Sequence, residues 1–138
     1  MKKVLVGGCF DLLHFGHIHF LKLAKQQGDY LIIALESDES VRRMKGDNRP
    51  IHTQAQRKKM LEALQFVDEV RNLPTMKTDE DYNNLVLEIK PAVIAITEGD
   101  TILEKKQKQA DSVGAELIII PKIHTPSTSQ LAKLLGLE

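Results

Sequence analysis

The sequence has one cysteine, no excess of either charge and no long hydrophobic run, and each of these shortages excludes a class of protein. Cys9 has no partner for an internal disulfide, which excludes a small scaffold held together by such bonds. Because 19 basic residues balance 19 acidic ones, overall charge provides no attraction to nucleic acid or to an anionic membrane. No apolar run approaches the roughly 20 residues that span a bilayer, and no signal peptide follows Met1–Lys3. We therefore expect a cytoplasmic protein with no nucleic-acid partner and no membrane partner.

The sequence does contain five short apolar runs, separated by segments with the periodicity of amphipathic helices. At 138 residues, the length favours a single domain over residues 1–138 with one hydrophobic core. Near-continuous apolar strands are expected where helices cover both faces of a parallel sheet. The pattern predicts an α/β fold with a doubly wound, five-stranded parallel sheet and helices on both faces. The expected strands begin near Val4, Tyr30, Phe66, Ala92 and Glu116.

Helix starts are marked where a Ser or Thr is followed three residues later by an acidic or amide residue. Gly28 and Gly114 follow helical segments and predict helix ends. In a doubly wound sheet, ligands bind at the carboxyl ends of the strands, where the amino ends of helices present N–H groups. The predicted N-terminal caps are Thr53, Thr78, Thr101 and Ser127.

Three histidines lie within six positions just after the first expected strand, in the segment GGCFDLLHFGHIHF. His14 and His17 belong to the loop and the first helical turn, so both should face the ligand edge of the sheet. Gly7–Gly8 and Gly16 allow another molecule to approach the backbone there, as a phosphate site requires. His19 is two residues further on, points to another face of the helix and is expected at the surface.

The residues alone leave two structural alternatives open for this pair. His14 and His17 could be helix-capping or core histidines, as a pair at this spacing commonly is. Together with Cys9 they could also supply three ligands of a zinc site, although a cysteine in a strand-end turn is more often buried.

The segment GGCFDLLHFGH resembles the signature G-T/C-F-D-x-x-H-x-G-H of the HxGH nucleotidyltransferases. The resemblance implies a Rossmann-like domain that transfers a nucleotidyl group from a nucleoside triphosphate to a phosphate oxygen and releases pyrophosphate. His14 and His17 are then catalytic, because their ring N–H groups stabilise charge on the phosphates. The resemblance also places Asp11 at the substrate. The implied nucleotide contacts are Gly8, Cys9, Phe10, His14, Gly16 and His17.

A second segment, ESDESVRRMKGDNRPI from Glu36 to Ile51, is rich in basic residues and by itself would be interpreted as a solvated surface. It resembles the S-D-x-S-V-K-x-x-K-G-x-x-R-P-I/V segment of adenylyltransferases that act on heptose 1-phosphate. The resemblance implies that Lys45 is catalytic and contacts the triphosphate or the acceptor phosphate, with Asp38 also at the substrate. It favours ATP over CTP as the donor and a sugar 1-phosphate as the acceptor.

Arg57 lies in the first turn of a predicted helix and on the same face as Leu61, so its guanidinium should be buried and needs a partner. One candidate partner is a phosphate of the substrate, and another is an acidic residue such as Asp68, in a structural ion pair. The surrounding QRKKML resembles the family pattern and favours contact with the substrate.

TEGD, from Thr97 to Asp100, ends the fourth expected strand. It resembles the K/M-G-G/D-D segment of relatives, which implies that Gly99 and Asp100 contact the nucleotide, with Asp100 at a ribose hydroxyl or beside the acceptor. A plain turn is the structural alternative. In the heptose enzymes a lysine stands at the position of Thr97.

PKIHTPSTS, residues 121–129, follows the fifth expected strand and opens the last helix. It resembles the P-R-T-E-G-I-S-T-T segment of glycerol-phosphate cytidylyltransferases, which implies that Ser127 and Thr128 bind phosphate of the nucleotide. Lys122 stands where those enzymes have an arginine. By contrast, KKQKQ, from Lys105 to Gln109, is expected to be a solvated helix face.

The resemblance further implies Mg²⁺, which is brought with the nucleoside triphosphate and keeps several waters, so no residue is assigned as a dedicated metal ligand. The expected partners are a nucleoside triphosphate and a phosphorylated small-molecule acceptor, and the resemblance implies a homodimer. Three other functions stay open: a CTP-dependent glycerol-3-phosphate cytidylyltransferase, an FMN adenylyltransferase (FAD synthase), and a nucleotide-binding sensor without turnover.

Overall fold

The computed structural model describes residues 1–123 and 128–136. None of the helices in these two ranges is both long enough and apolar enough to cross a lipid bilayer. In chain order the elements of the described residues are β1 (Lys3–Gly8), α1 (Phe15–Lys25), β2 (Tyr30–Leu35), α2 (Asp38–Lys45), α3 (Gln54–Glu62), β3 (Glu69–Asn72), α4 (Asp79–Ile89), β4 (Val93–Thr97), α5 (Leu103–Val113), β5 (Glu116–Ile120) and α6 (Thr128–Leu134).

These strands form one parallel sheet in the order β3-β2-β1-β4-β5. In the central strand, Val4 is in register with Leu31 of β2 and with Val93 of β4. The chain winds outward from β1 to β3, and α4 then returns it to β4 on the other side of β1. At such a reversal the loops on the two sides leave in opposite directions and open a crevice at the carboxyl edge. The predicted doubly wound, five-stranded sheet is confirmed.

Helices cover both faces of the sheet and divide the core into two apolar clusters. One cluster contains Leu21 of α1 and Leu61 of α3. The other contains Val86 of α4 and Ala110 of α5. The strands bury side chains in both clusters, as parallel strands between helices do. It follows that α1 and α5 approach the end of β1 from opposite sides of the sheet.

Two of the predicted helix caps are confirmed and one is wrong. Thr53 and Thr78 each accept a hydrogen bond from the backbone N–H of the third residue of their helix and donate their own backbone N–H to its side chain. Thr101 does not cap α5, because that helix starts after Ile102, and Asp100 instead accepts the Ile102 N–H at 2.8 Å. The predicted cap at Ser127 lies outside the described residues.

The two predicted helix-ending glycines differ in their roles. Gly114 ends α5 as predicted, in left-handed backbone with a φ of 69°. The C-cap of α1, however, is Gln26, so the prediction that Gly28 ends this helix is wrong. A side-chain carbon on Gly28 would lie 2.6 Å from the carbonyl oxygen of Lys2, so glycine is needed for β2 to begin close against β1.

Candidate active site

Two cavities open at the carboxyl end of β1 and share Gly7–Cys9 as a common wall. The first, which we call the α1 cavity, has a volume of about 570 Å³ and lies in the crevice between β1 and β4. Its lining includes His14, Gly16, His17, Lys45, Thr97 and Lys122. The second, the α4 cavity, measures about 390 Å³, and its lining includes Glu36, Leu73, Met76, Tyr82, Val86 and Ile94. Asp100 and Lys106 line both cavities.

The amino end of α1 orients His14 and His17. His14 is the N-cap residue, and its Nδ1 accepts a hydrogen bond from the N–H of Gly16 at 3.0 Å. Nδ1 of His17 accepts the N–H of His14 at 3.3 Å, which completes a reciprocal cap. Because each Nδ1 is an acceptor, the proton of each neutral ring is on Nε2. The helix-capping alternative is therefore correct, and the same bonds select the tautomer that can donate to a phosphate.

Burial favours the neutral form of both rings, and nearby positive charge adds to this effect at His17. Burial lowers the pKa of His17 to about 4, with further lowering from His14, Lys45 and Arg49. Burial also lowers the pKa of His14. The ring centroids are 4.1 Å apart, so a charge on one ring opposes a charge on the other. A bound polyphosphate would shift this balance toward the protonated form, since negative charge raises the pKa of a nearby imidazole.

The loop between β1 and α1 has an unusual backbone conformation. Phe10 and Leu12 have φ values of 47° and 57°, in the left-handed region that residues with side chains rarely adopt. The buried Phe10 ring packs 5.5 Å from the ring of His17. A side-chain carbon on Gly8 would lie 2.9 Å from a carbon of the Phe10 ring, so Gly8 leaves room for that ring. Strain of this kind costs about 1–3 kcal/mol per residue and concentrates at functional sites.

Asp11 is buried at the border of the α1 cavity, and protein groups engage its carboxylate. It accepts hydrogen bonds from Nε of Arg49 at 2.7 Å and from the N–H groups of Ile51 and His52 at 2.6 and 3.0 Å. Burial alone would raise the pKa of Asp11, but these three donors hold it below its usual value. Asp11 therefore ties the loop to the segment before α3, and its contact with substrate stays a prediction.

Arg57 is fully buried on the inner face of α3, as predicted. Its Nη2 donates to Oδ1 of Asp38 at 2.7 Å. Its Nη1 donates to the carbonyl of Cys9 at 2.7 Å and its Nε to the carbonyl of His52 at 3.1 Å. The alternative of a structural ion pair with an acidic residue is therefore correct, but the partner is Asp38 and not Asp68, whose carboxylate is engaged by Lys25 and by the N–H of Leu31. Contact of Arg57 and Asp38 with substrate stays a prediction, and their visible role is to hold the loop.

Lys45 ends α2 and projects into the α1 cavity. Its side chain is exposed and, in the described part of the chain, it makes no hydrogen bond or ion pair. Lys45 and His17 both line this cavity, and the charge of Lys45 contributes to the lowered pKa of His17, so the ammonium and the imidazole face the same ligand space. Next to it, Sδ of Met44 lies 3.9 Å from Sγ of Cys9, whose pKa is raised by burial.

The turn after β4 places Asp100 at the rim of both cavities. Gly99 has a φ of 83°, and the N–H of Asp100 donates to the carbonyl of Thr97 at 3.1 Å. The turn alternative is therefore correct, while nucleotide contacts by Gly99 and Asp100 stay predictions. Of the two predicted phosphate-binding hydroxyl residues, Ser127 lies outside the described residues and Thr128 is the first residue of α6.

Lys106 is the main residue of the site that the sequence analysis missed. The predicted solvated helix face is correct for Lys108, which is exposed, and for Lys105, which pairs with Asp79 at 3.1 Å on the surface. It is wrong for Lys106, whose Nζ lies 3.7 Å from the position of a side-chain carbon on Gly7. The available signal was helical spacing, because Ala110, four residues later, is a core residue of α5.

The α4 cavity contains a second pair that the sequence did not reveal. Glu36, at the end of β2, is buried, and its two carboxylate oxygens accept the hydroxyl of Tyr82 at 3.1 and 2.9 Å. Burial raises the pKa of Glu36, and the Tyr82 hydrogen bond offsets part of that rise. His19 also departs from expectation, because it is half-buried and lines the α1 cavity instead of lying at the surface.

Among residues 1–123 and 128–136, no group of three or more His, Cys, Asp or Glu side chains is arranged to hold a metal ion. The zinc alternative for Cys9, His14 and His17 therefore has no support in this part of the chain. Nδ1 of both histidines is used by backbone N–H groups, and the cysteine sulfur lies beside a methionine.

Comparison with known proteins gives the same family at the level of sequence and of structure. The cytidylyltransferase-like family model matches residues 5–128. FAD synthase of Pyrococcus horikoshii is 35% identical over 136 residues, which cover 96% of this chain and 89% of that protein. Bifunctional protein HldE of Campylobacter fetus is 49% identical over 92 residues, which cover 66% of this chain, and the match spans only 19% of that longer protein.

A solved structure, that of a lipopolysaccharide core biosynthesis protein from Thermoplasma volcanium, superposes with a TM-score of 0.72 at 28% identity. The match covers 91% of this chain and 98% of that one, so the likeness extends through the whole sheet and its helices. The chain belongs to the cytidylyltransferase-like family of nucleotidyltransferase enzymes.

Proposed function

We propose that this protein transfers the adenylyl group of ATP to the phosphate of a small-molecule acceptor and releases pyrophosphate, within a single domain of residues 1–138. The observation that carries the proposal is the convergence of His14, His17, Lys45 and the amino end of α1 on one cavity at the crevice between β1 and β4. All of these groups favour anions, so the α1 cavity suits a triphosphate.

In the proposed reaction, an oxygen of the acceptor phosphate forms a bond to the α-phosphorus of ATP. The bond from the α-phosphorus to its bridging β-oxygen breaks, and pyrophosphate leaves with that electron pair. No side-chain nucleophile is needed, so the task of the protein is positioning and charge stabilisation. Nε2–H of His14 and His17 donates to the phosphate oxygens on which charge grows, and Lys45 compensates charge beside them.

Mg²⁺ brought with the triphosphate fits the described lining. Asp11 is engaged by three donors, whereas Asp100 uses one carboxylate oxygen for the N–H of Ile102. Asp100 would therefore hold the ion together with phosphate oxygens, and the ion would keep several waters. When bound, Mg²⁺ neutralises part of the phosphate charge and so eases attack by a second anion.

The α4 cavity is the place for the acceptor, because it shares the wall Gly7–Cys9 with the α1 cavity. A sugar 1-phosphate is the first candidate, since Ser37–Ile51 resembles the corresponding segment of heptose 1-phosphate adenylyltransferases. Glu36 and Tyr82 supply polar atoms that could bind sugar hydroxyls.

FMN is the second candidate acceptor, and a specific observation favours it. Leucine, methionine, valine and isoleucine side chains form much of the α4 cavity, which suits a flat apolar ring system better than a sugar. The relatives that match along nearly the whole chain include FAD synthases. The shared step in both cases is adenylyl transfer to a phosphate monoester.

A pyrophosphate-release assay tests the proposal. ATP and CTP are each combined with sugar 1-phosphates, glycerol 3-phosphate and FMN in the presence of Mg²⁺. We expect release with ATP and with one acceptor class, and none when the acceptor is omitted. Faster release with CTP would overturn the adenylyl assignment, and no release from any pair would favour a nucleotide-binding sensor.

Two further parts of the proposal follow from the reaction and from the family resemblance. ATP and phosphorylated metabolites are cytoplasmic substrates, so we assign the protein to the cytoplasm. We also assign it a homodimeric state, for which light scattering coupled to size-exclusion chromatography gives the mass; a mass of one chain would contradict the assignment.

A further inference from the structure

Lys106 is a cation that lies where the two cavities meet. It belongs to α5, lines both cavities, and reaches to 3.7 Å from the side-chain carbon position of Gly7 at the end of β1. At this distance a side-chain carbon on Gly7 would be in van der Waals contact with the ammonium, so the Lys106 side chain reaches the end of β1. The neighbouring basic residues of the helix are different, because Lys105 pairs with Asp79 and Lys108 is exposed.

The charge of Lys106 is incompletely matched by the protein. Burial lowers the pKa of Lys106, and the carboxylates of Asp100 and Glu36 raise it by less. Within residues 1–123 and 128–136, its Nζ makes no hydrogen bond and no ion pair. The carboxylate of Glu36 is engaged by Tyr82, and one oxygen of Asp100 is engaged by Ile102. A half-buried ammonium without acceptors favours binding of an anion.

The side of the sheet from which Lys106 approaches indicates which anion it binds. His14 and His17 begin α1, whose Leu21 packs in one core cluster, while α5 packs in the other. Lys106 and the histidines therefore reach the end of β1 from opposite faces. In phosphoryl-type transfer, the entering and leaving oxygens are roughly in line on opposite sides of the phosphorus. The histidines lie on the triphosphate side, which leaves Lys106 on the side of the entering oxygen.

We propose that Lys106 is a substrate-binding residue that holds the phosphate of the acceptor at the junction of the two cavities, in line with the α-phosphate. This inference rests on the proposed adenylyl transfer. Lys106 lowers the repulsion between the acceptor phosphate and the triphosphate, and it aligns the entering oxygen. Glu36 and Asp100 keep the side chain at the junction while no phosphate is bound to it.

Steady-state kinetics of Lys106→Ala tests this assignment, with Lys108→Ala as the matched control from the same helix. We expect the KM for the acceptor to rise by about tenfold to a hundredfold, as loss of a charge-assisted hydrogen bond predicts, with little change in the KM for ATP. Lys106→Arg should recover part of the loss. A rise confined to the KM for ATP, or parent-like constants in Lys106→Ala, would overturn the assignment.

Stability separates a binding role from a structural one. Because the ammonium is incompletely matched, its removal should leave the unfolding temperature of Lys106→Ala equal to or above that of the parent. A lower unfolding temperature together with equal rises in both KM values would assign Lys106 to folding and overturn the proposal.

A binding measurement keeps this inference separate from the proposed reaction. Inorganic phosphate is titrated by calorimetry into protein saturated with a non-hydrolysable ATP analogue. We expect Lys106→Ala to lose about tenfold or more in phosphate affinity, and Lys108→Ala to match the parent. Equal affinities in the parent and Lys106→Ala would overturn the role of Lys106, whereas absent turnover with intact, Lys106-dependent phosphate binding would overturn only the proposed reaction.

Discussion

Positive charge has two different roles in this site, one in the arginines beneath the β1–α1 loop and the other in two lysines of the cavity walls. Arg49 and Arg57 are at most 1% exposed, and each is bonded to a carboxylate. Lys45 and Lys106 lie on cavity walls and, in the described ranges, make no hydrogen bond or ion pair. A planar guanidinium can join several acceptors at once, whereas an ammonium is a mobile point charge. In this site Arg49 and Arg57 hold the loop, whereas Lys45 and Lys106 are left for ligands.

Replacing Arg57 gives the largest expected effect and tests whether the buried arginines hold the β1–α1 loop. Arg57→Leu leaves Asp38 without its partner and removes the bond to the Cys9 carbonyl. We expect the free energy of unfolding to fall by about 2–4 kcal/mol, because the carbonyls of Cys9 and His52 lose their donor, whereas water can solvate Asp38, whose side chain is 41% exposed. Urea denaturation followed by circular dichroism measures this change.

Two controls sharpen the result. Lys59→Ala changes an exposed residue of the same helix and should alter the free energy of unfolding by less than about 0.5 kcal/mol. Lys45→Ala should lower turnover without lowering stability. A loss below about 1 kcal/mol in Arg57→Leu would show that the buried guanidinium does not support the loop.

His17 combines a structural role with a ligand-binding role, because its Nδ1 caps α1 and its Nε2–H is available to donate to the ligand. His17→Asn keeps an acceptor near the Nδ1 position and removes the Nε2 donor. We expect kcat to fall by about 10²–10³, as when one preorganised donor to developing charge is lost. Stability should change little, since the cap is retained.

His17→Gln is the reciprocal variant, because its amide reaches toward the Nε2 position but lies too far along the side chain to replace Nδ1 as a cap. It should lose about 1 kcal/mol of stability and keep more activity than His17→Asn. The reverse ranking of the two variants in kcat would contradict the assignment of the catalytic proton to Nε2.

The depressed pKa of His17 predicts how stability depends on pH. Since the pKa of His17 is about 4 in the folded protein and the ordinary pKa of histidine is 6.5, the unfolded state binds more protons between these values. Stability contributed by neutral His17 is present above pH 6.5 and is lost as pH falls toward 4. Relative to His17→Asn, the parent should lose on the order of 2 kcal/mol across this window.

Denaturation of both proteins at a series of pH values measures that difference. Subtracting the two curves of stability against pH removes the contribution of Glu36, whose raised pKa makes stability fall as the pH rises. A difference that does not depend on pH would show that the ring is already solvated and titrates normally.

Tyr82→Phe is the smallest expected change and concerns the wall of the α4 cavity. The hydroxyl that Glu36 accepts is lost, and we expect stability to fall by about 1 kcal/mol. Tyr30→Phe is the control, because Tyr30 donates to Glu69, which is partly exposed and also paired with Arg71. Equal losses of stability in Tyr82→Phe and Tyr30→Phe would show that the hydrogen bond to the buried Glu36 contributes no more than the bond to the partly exposed Glu69.

The sequence predicted the sheet well because its signals are local and repeated. Near-continuous apolar runs such as YLIIAL marked four of the strands, and the caps at Thr53 and Thr78 marked two helix starts. The remaining strand, β3, has the sequence EVRN and begins at Glu69, later than the predicted start near Phe66. Thr101 failed as a cap because α5 begins one residue later than predicted, after Ile102, and Asp100 holds the preceding turn by accepting the Ile102 N–H. Local pattern predicts an element, but the geometry of the preceding turn decides where it begins.

The site was predictable only where one segment carried it. His14, Gly16 and His17 are contiguous with β1, so a single stretch placed them together at the ligand edge. Lys106 is about a hundred residues from Gly7 and meets it only because α5 packs across the end of β1. The pairing of Arg57 with Asp38 instead of Asp68 likewise depends on which loops the sheet order brings together. Such contacts follow from topology, which one sequence does not display.

The three hydrogen bonds of Arg57 have a consequence for how the site binds its ligands. One side chain joins the carbonyl of Cys9, the carbonyl of His52 and the start of α2, so the loop cannot rearrange unless two other segments move with it. The loop therefore loses its conformational entropy when the chain folds, and not when substrate binds. Binding of the triphosphate should therefore carry a small entropic penalty from the loop, and amide exchange in residues 9–12 should be as slow in the free protein as in the core.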